Sequence, residues 1–539
     1  MIAEHEHGAG PAPASNAVTT GPLARYLLPS IRDLIFLIAF WALLAGPLSN
    51  RPLADADIGW HIRAGEQILS THAVPRVDPF SSTMQGQPWF AWEWLYDALL
   101  GLAHRAMGLN GVVLFAALIM ASTLALLFRQ LVERGTGVPL AVLLWLLALG
   151  GASIHMFARP HIASWLLTLL WFMALERWEK GIAPRWLPWF FPLSAVLWVN
   201  LHGGWIFAFA LFALFIAAAL IESLRAANTF EQVLLRQRTR AMIGTFAVSG
   251  LATLVNPYGV RLHLHIYRYL GDSFLMNRIA EFRSPEFHGM GQRCYVLILV
   301  LTLLAFAARG SKLRVSRWLV VPAVAFSGVY AARNLPVASM LLVLMAGPML
   351  WMEIVSLAER PTVWRPLRGL TASIVRIGVK ADSQERVLRG VLWPALGTTL
   401  AIAICLGGGR IGGRGLVHAQ FDHRNLPVGA VEYLRQEDTR EPVFGPDQWG
   451  GFLIYRLYPQ RQVVIDDRHD LYGSDRFREY DILMGGSPGW KDVLDRWRIR
   501  TIIVQNDSTL ANLLRMKPQE WEVMYQDPVA VVIEKKNEP

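Results

Sequence analysis

Cysteine is nearly absent: Cys294 and Cys405 are the only two in 539 residues, and both lie in apolar runs. Two such thiols support neither a disulfide framework nor a zinc site. Charge is also scarce, at 17% of residues against 53% hydrophobic, which is not the balance of a soluble domain. No phosphate-loop pattern, Gly-x-Ser-x-Gly elbow or His-Glu-x-x-His occurs in the chain. The nucleotide, serine-hydrolase and metalloprotease chemistries that depend on those motifs are therefore not indicated. The net charge of +10 comes largely from Arg clusters between apolar blocks, as the positive-inside rule requires, so it is no sign of a nucleic-acid partner.

What the chain has is long apolar blocks and 21 Trp. The first block, Asp33–Leu48, reads as an uncleaved span. Ten more follow near 112–132, 138–157, 161–177, 187–201, 204–222, 241–256, 294–308, 317–332, 335–357 and 390–406. The expected fold is an α-helical polytopic membrane protein of about eleven transmembrane helices. Residues 1–24, rich in Ala, Gly and Pro, read as a disordered cytoplasmic tail. Arg25 and Arg32 hold the first span's start inside. Basic residues at 129–134, 177–185, 225–240, 309–317 and 360–389 mark the later inner loops, and the last of these has room for an amphipathic surface helix.

The first outer loop, 51–110, opens with Asp55-Ala-Asp-Ile-Gly-Trp-His61. Ionisable groups at a bilayer edge are costly unless paired or wetted, which makes them functional candidates. Ile58, Ile62 and Leu69 describe one face of a helix starting after Asp57. Asp57 is then placed to be its N-cap with His61 one turn on, so Asp55, Asp57 and His61 converge. A helix cap in a solvated loop is the plainer reading of the same residues. Further along, Val74–Ser81 is an extended segment punctuated by Pro and Asp. Trp89, Trp92 and Trp94 suit an interfacial belt, with Glu93 among them a second-rank site candidate.

The remaining outer turns carry embedded polar residues: Arg159-Pro-His161, Asn200-Leu-His-Gly-Gly204, Asn256-Pro-Tyr-Gly259 and Arg333-Asn334. Each alone reads as a capped helix end. Together with the Asp55 loop they point to a polar cavity open to the outer side. In the outer loop 257–293, His263 and His265 are two apart and diverge on a helix. Glu281 is the better candidate there, its plainer reading being an ion pair with Arg278 or Arg283.

Gly407–Gly415 reads as a flexible tether, and 416–539 as a small extracytoplasmic α/β domain. The expected helices are Val428–Gln436 and Gly489–Arg498. The expected strands are Pro442–Phe444, Gln462–Ile465 and Thr501–Val504, with Trp521–Tyr525 and Ala530–Glu534 as a closing hairpin. Asp466-Asp467-Arg468-His469 lies just past a strand end, where such domains commonly place binding groups and where a plain turn also fits.

With Asp55-Ala-Asp57 after the first span and Met84–Leu99 leading to the second, residues 30–406 resemble the GT-C superfamily of membrane glycosyltransferases. The resemblance implies sugar transfer from a polyprenyl-phosphate donor to a glycan, lipid or protein acceptor at the outer face of the plasma (inner) membrane. It puts Asp57 first and Asp55 second as base, with His61 orienting. A phosphate leaving group needs cationic stabilisation, for which Arg159, His161, His202 and Arg333 are the candidates. A divalent cation, Mg or Mn, would take oxygen ligands from Asp55, Asp57 and Glu281. The chain departs from the family at its second outer loop, which holds Arg159 and His161 where some members have another acidic pair. A metal-independent polysaccharide or O-antigen-type ligase using the outer Arg and His residues, a transporter, and a non-catalytic scaffold are the other classes open at this point.

Overall fold

A computed structural model describes residues 23–226, 228–310, 313–388 and 390–536, so the expected tail over 1–24 lies almost wholly outside it. The chain is an integral membrane helical protein with a small mixed α/β domain at its C-terminal end. A helix covers most of each of the eleven apolar blocks. Among the described residues, six helices are long and apolar enough to cross a membrane, and Leu187–Leu201, Val315–Tyr330 and Leu392–Leu406 are shorter apolar helices. His161–Glu179 and Thr229–Ala252 carry several charged residues and fall outside both groups.

Local chemistry explains the helix starts. Ser30 and Asp33 form a capping box, each side chain accepting from the other's backbone N–H at 3.1 and 3.0 Å. This opens the helix Ile31–Leu44 two residues earlier than the apolar pattern alone indicates. Glu385, on the helix Arg365–Val387, accepts from Ile31 N at 2.8 Å and satisfies another end donor. The longest helix, Trp94–Glu133, is kinked at Gly108, whose φ of 59° suits glycine. The kink divides the helix into a first segment, 94–107, and a second that carries the apolar block 112–132.

The helix Ile58–Thr71 crosses Trp94–Glu133 at nearly backbone contact. A Cβ at Gly65 would strike the Asp97 carbonyl, and one at Gly101 would strike Gly65. This approach sets His61 against Asp97 and fixes one wall of the site.

In the C-terminal domain four strands lie in the order Val443–Phe444, Thr501–Val504, Val531–Lys535, Trp521–Gln526, the first pair parallel and the others antiparallel. Residues 462–465 do not join this sheet as a full strand. They form single bridges, with Val463 pairing Val443 on one side and Ser81 on the other. Ser82 N donates to Val463 O at 2.9 Å and Val463 N to Phe80 O at 3.2 Å. The domain is thus stitched to the first loop. A second seam is the helix Gly450–Leu457, where a Cβ at Gly451 would strike the Ala56 carbonyl and Asp57 Cα. The Gly-rich 407–415 stretch forms a hairpin, Arg410–Ile411 against Arg414–Gly415, and just beyond it Ala419 N donates to Asn110 Oδ1 at 2.9 Å.

Candidate active site

Asp55 folds back on the chain, its Oδ1 accepting from Asp57 N at 2.9 Å. Asp57 sits at the helix start in helical geometry but makes no side-chain cap bond, contrary to the N-cap expected of it. Its carboxylate turns instead to Arg159, 3.1 Å away. The same guanidinium reaches Asp55 at 2.9 Å and Glu281 at 3.2 Å, so Glu281 pairs here rather than with Arg278 or Arg283. Arg278 is engaged by Asp447 at 2.8 Å and Asp481 at 3.1 Å.

Three carboxylates on one guanidinium leave the cluster over-supplied with negative charge, and the groups respond differently. Burial pushes Asp57 up to about 6, Arg159 opposes that, and Asp55 and Glu281 add to it. Burial acts to raise Glu281 too, but Arg159, His155 and Arg333 outweigh it and hold its carboxyl well below the usual range.

Asp467 also enters this site, from the C-terminal domain, within hydrogen-bonding reach of Asp57. Burial, then the neighbouring Asp57, push its carboxyl well up. Each of these two aspartates has a buried Oδ1 that finds no donor among the described residues.

His61 does not join Asp55 and Asp57. Its Nδ1 lies 2.6 Å from Asp97 Oδ1 and its Nε2 3.9 Å from Glu93. The reason is geometric: position 61 lies on the helix face pressed against Trp94–Glu133, while Asp57 lies at the open end. Glu93 is 3.7 Å from His202 Nε2 on its other side. Burial pushes Glu93 up to about 8, with Arg159 and Arg333 opposing, so its carboxyl is mostly neutral at pH 7. Burial likewise lowers His61 and His202 well below the ordinary imidazole range, Arg159 adding most for His61 and Arg333 for His202.

The four anion-binding candidates separate by what already engages them. Arg159 is committed to its carboxylates. His161 Nε2 donates to the His155 carbonyl at 2.7 Å. His202 Nδ1 accepts from Gly204 N at 3.0 Å and sits 2.7 Å from Ser164 Oγ, so its Nε2 carries the proton and faces Glu93. Arg333 stacks on Phe282 at 4.4 Å and has no ion-pair partner among the described residues. It faces the cavity without a close carboxylate among the described residues, acting on Glu281 and Glu93 only across a distance.

Most of these groups face one cavity of about 790 Å³, lined by Asp57, Glu93, Arg159, His202, Arg333 and Asp467 among others, whereas Asp55 and His61 are not part of its lining. The size is in the range of small-molecule sites. An apolar groove of about 560 Å³ lies behind the Trp94–Asn200 hydrogen bond, between Leu95, Leu197 and Val255.

The oxygen ligands expected for a divalent cation, Asp55, Asp57 and Glu281, are the three groups that hold Arg159. A cation placed among them would meet the guanidinium. No group of three His, Cys, Asp or Glu among the described residues has the arrangement of a metal site. The proposed ligand set therefore does not fit a metal while Arg159 is in place.

No family model and no curated protein matches the chain. Among solved structures it is similar to the apo oligosaccharyltransferase of Archaeoglobus fulgidus. The identity is 11%, over 88% of this chain and 69% of that one, with a TM-score of 0.47. The same enzyme tethered to an acceptor peptide gives 13% identity, 88% and 68% coverage and a TM-score of 0.48. ArnT from Cupriavidus metallidurans bound to undecaprenyl phosphate gives 15%, 93% and 97%, and 0.44. These neighbours are membrane glycosyltransferases.

Sequence reasoning gave no site role to Asp97, Ser164 and Asp467. Asp97 stands four residues after Glu93 on one helix face, a legible signal. Asp467 stood out only as part of a polar run past a strand. Nothing in its spacing tied it to Asp57, 410 positions earlier.

Proposed function

We infer that the protein is a membrane glycosyltransferase that moves a hexosyl or pentosyl unit from a polyprenyl-phosphate donor to an acceptor at the extracytoplasmic face. The observation that carries this is the pairing, within one cavity, of a buried carboxyl poised near neutrality, Asp57, with a cation, Arg333, that has no ion-pair partner among the described residues. Transfer requires a base for the nucleophile and a receptor for the departing phosphate. Asp57 takes the proton of the acceptor O–H or N–H as the new bond forms at the anomeric carbon. The bond from that carbon to the phosphate oxygen breaks, and the electron pair leaves with the polyprenyl phosphate. Arg333 and the Nε2–H of His202 receive that charge. Arg159 holds Asp55, Asp57 and Glu281 in place and limits their mutual repulsion. The apolar groove beside Trp94 gives the prenyl chain a path toward lipid.

In this reading the eleven helical segments cross the plasma membrane, the N-terminus is cytoplasmic, and the C-terminal domain lies outside. The acceptor enters along the wall formed by that domain. Because the carboxylates hold Arg159, transfer proceeds without a bound metal.

A ligase reading gains one point of support: Arg333 and His202 also suit a diphosphate leaving group. The decisive assay uses the purified protein in lipid nanodiscs with polyprenyl-monophosphate and polyprenyl-diphosphate sugars, with and without chelator, beside Asp57→Asn. Monophosphate donor consumption that is lost in the variant and insensitive to chelator is the expected result. Consumption of diphosphate donors alone would establish the ligase, and unimpaired turnover in Asp57→Asn would remove Asp57 as base.

A further inference from the structure

The C-terminal domain does more than cover the cavity. It presses on the residue assigned as base, because Gly451 packs against Ala56 and Asp57 with no room for a side chain, and Gly450 packs likewise against Asp466. The turn that follows is rigid. Arg468 grips Asp466 at 2.8 and 2.7 Å, Tyr472 donates to the same carboxylate at 2.8 Å, and His469 N donates to the Asp467 carbonyl at 2.7 Å. Asp467 is thereby held over Asp57.

The side chains then meet each other, carboxyl to carboxyl. Asp57 is only 4% exposed, and one of its oxygens is on Arg159. Its other oxygen and Asp467 Oδ1 are buried acceptors without a donor among the described residues. Two ionised carboxylates within reach of each other supply no donor, so the only donor the pair has is one proton shared between them and held on Asp467, whose carboxyl is pushed up. Burying two facing carboxyls costs stability even with one proton between them, and a structural brace has no use for the arrangement. Asp466, the adjacent carboxylate, shows what a bracing residue looks like here: both of its oxygens are filled. A substrate O–H or N–H placed between Asp57 and Asp467 would donate to the ionised member of the pair.

We propose that Asp467 is a catalytic residue contributed by the C-terminal domain, forming with Asp57 a two-carboxyl receptor that binds and deprotonates the acceptor's nucleophilic O–H or N–H. This rests on the transferase reading above. The acceptor's heteroatom bonds to the anomeric carbon, the carbon–oxygen bond to the donor phosphate breaks, and the electron pair leaves with the polyprenyl phosphate. The acceptor proton passes to the carboxyl pair and then to water in the cavity. The acceptor class is thus one whose nucleophile is an N–H or O–H donor small enough to enter between two carboxyls.

Two measurements on the full-length protein in nanodiscs test this. The first needs no activity: in a Cys294→Ala, Cys405→Ala background, the pair Asp57→Cys and Asp467→Cys is oxidised and digested for mass spectrometry. A 57–467 disulfide is expected, while Asp57→Cys with Asp481→Cys gives none; absence of the first crosslink overturns the proposal. The second is steady-state kinetics of Asp467→Asn with hydroxyl-bearing and amine-bearing acceptors. The expected result is a fall in kcat of roughly 10²-fold and a raised acceptor KM, with the donor KM within about twofold of wild type. Asp57→Asn combined with Asp467→Asn should be no worse than Asp57→Asn alone, because the residues act as one unit. Wild-type kinetics in Asp467→Asn would overturn the role of Asp467 while leaving the transferase reading intact. Wild-type protein that consumes no donor would overturn both.

Discussion

Two arginines in this protein each hold aspartates of the first loop, and they have opposite characters. Arg468 sits between Asp78 at 2.8 Å and Asp466 at 2.7 Å, with all three side chains essentially inaccessible. Asp78 is filled further by the backbone of Phe80 and Ser81, and Asp466 by Tyr472. The guanidinium lies over Trp89 at 4.7 Å. Every acceptor is satisfied, and the cluster bolts the C-terminal domain to the loop. Arg159 instead holds three carboxylates and is 24% exposed at its side chain, in the cavity that both arginines line. One of its partners keeps an orphaned oxygen. Ion pairing is common to both clusters, so it does not distinguish function from structure. Side-chain exposure, 24% against 2%, and a carboxylate oxygen with no donor outside the Asp57–Asp467 pair do.

The sharpest test of that contrast exchanges the expected outcomes. Asp57→Asn should lower turnover by about 10²–10⁴-fold, the usual worth of a positioned base, with thermal unfolding unchanged. Arg468→Met strands two buried carboxylates and should cost about 3–5 kcal/mol of stability, read as a large drop in Tm. If Arg468→Met leaves Tm intact while Asp57→Asn unfolds the protein, the distinction fails.

Next in size is Arg333. Its removal as Arg333→Ala should reduce kcat/KM for donor by about 10²–10³-fold, as loss of one charge-stabilising donor does. Arg333→Lys should recover part of this, since it restores the charge without the planar stack on Phe282. Equal loss in both variants would point to packing instead of charge.

The pH profile follows from the sign of the Asp57 shift. Its carboxyl is raised from 3.8 to about 6, so below that value it keeps its proton and accepts none. Activity should therefore fall as pH drops through about 6, measured as kcat/KM from pH 5 to 8. An acid limb near 4 would mean the carboxyl is not desolvated.

The smallest effect is expected at Glu93. Pushed up to about 8, it is mostly neutral at pH 7. Glu93→Gln, also neutral, should keep activity within a few-fold at pH 7 and lose any decline that wild type shows above about pH 8. A severe loss at pH 7 would mean that the ionised form is needed.

The main organisation was legible in order along the chain: apolar blocks became helices, and Thr501–Val504 became a strand with the expected bounds. Those features rest on periodicity and desolvation, which act locally. Asp55, Asp57, Arg159, Glu281 and Arg333 were also recognisable, because charge among apolar neighbours needs a reason. Their partners were not. Sequence spacing suggested that Asp57 caps a helix and that His61 meets it, whereas Arg159 and Asp97 took those side chains from 102 and 36 positions away. The direction of a side chain is decided by whichever charge or backbone lies closest in space, and local pattern carries no record of that. Even the Gly-rich stretch after the last apolar block, suited to a free tether, closes into a hairpin beside Asn110.

By itself, then, the sequence determined a helical membrane protein with polar groups gathered at helix ends and a small α/β domain, because hydropathy and turn chemistry are properties of neighbouring residues. Only the tertiary structure decided that Arg159 would hold three carboxylates, that Arg333 would have no ion-pair partner among the described residues, and that Asp467 would descend on Asp57. Those outcomes depend on backbone approaches at Gly65 and Gly451 and on which buried charges find partners, and both are settled only when distant segments pack.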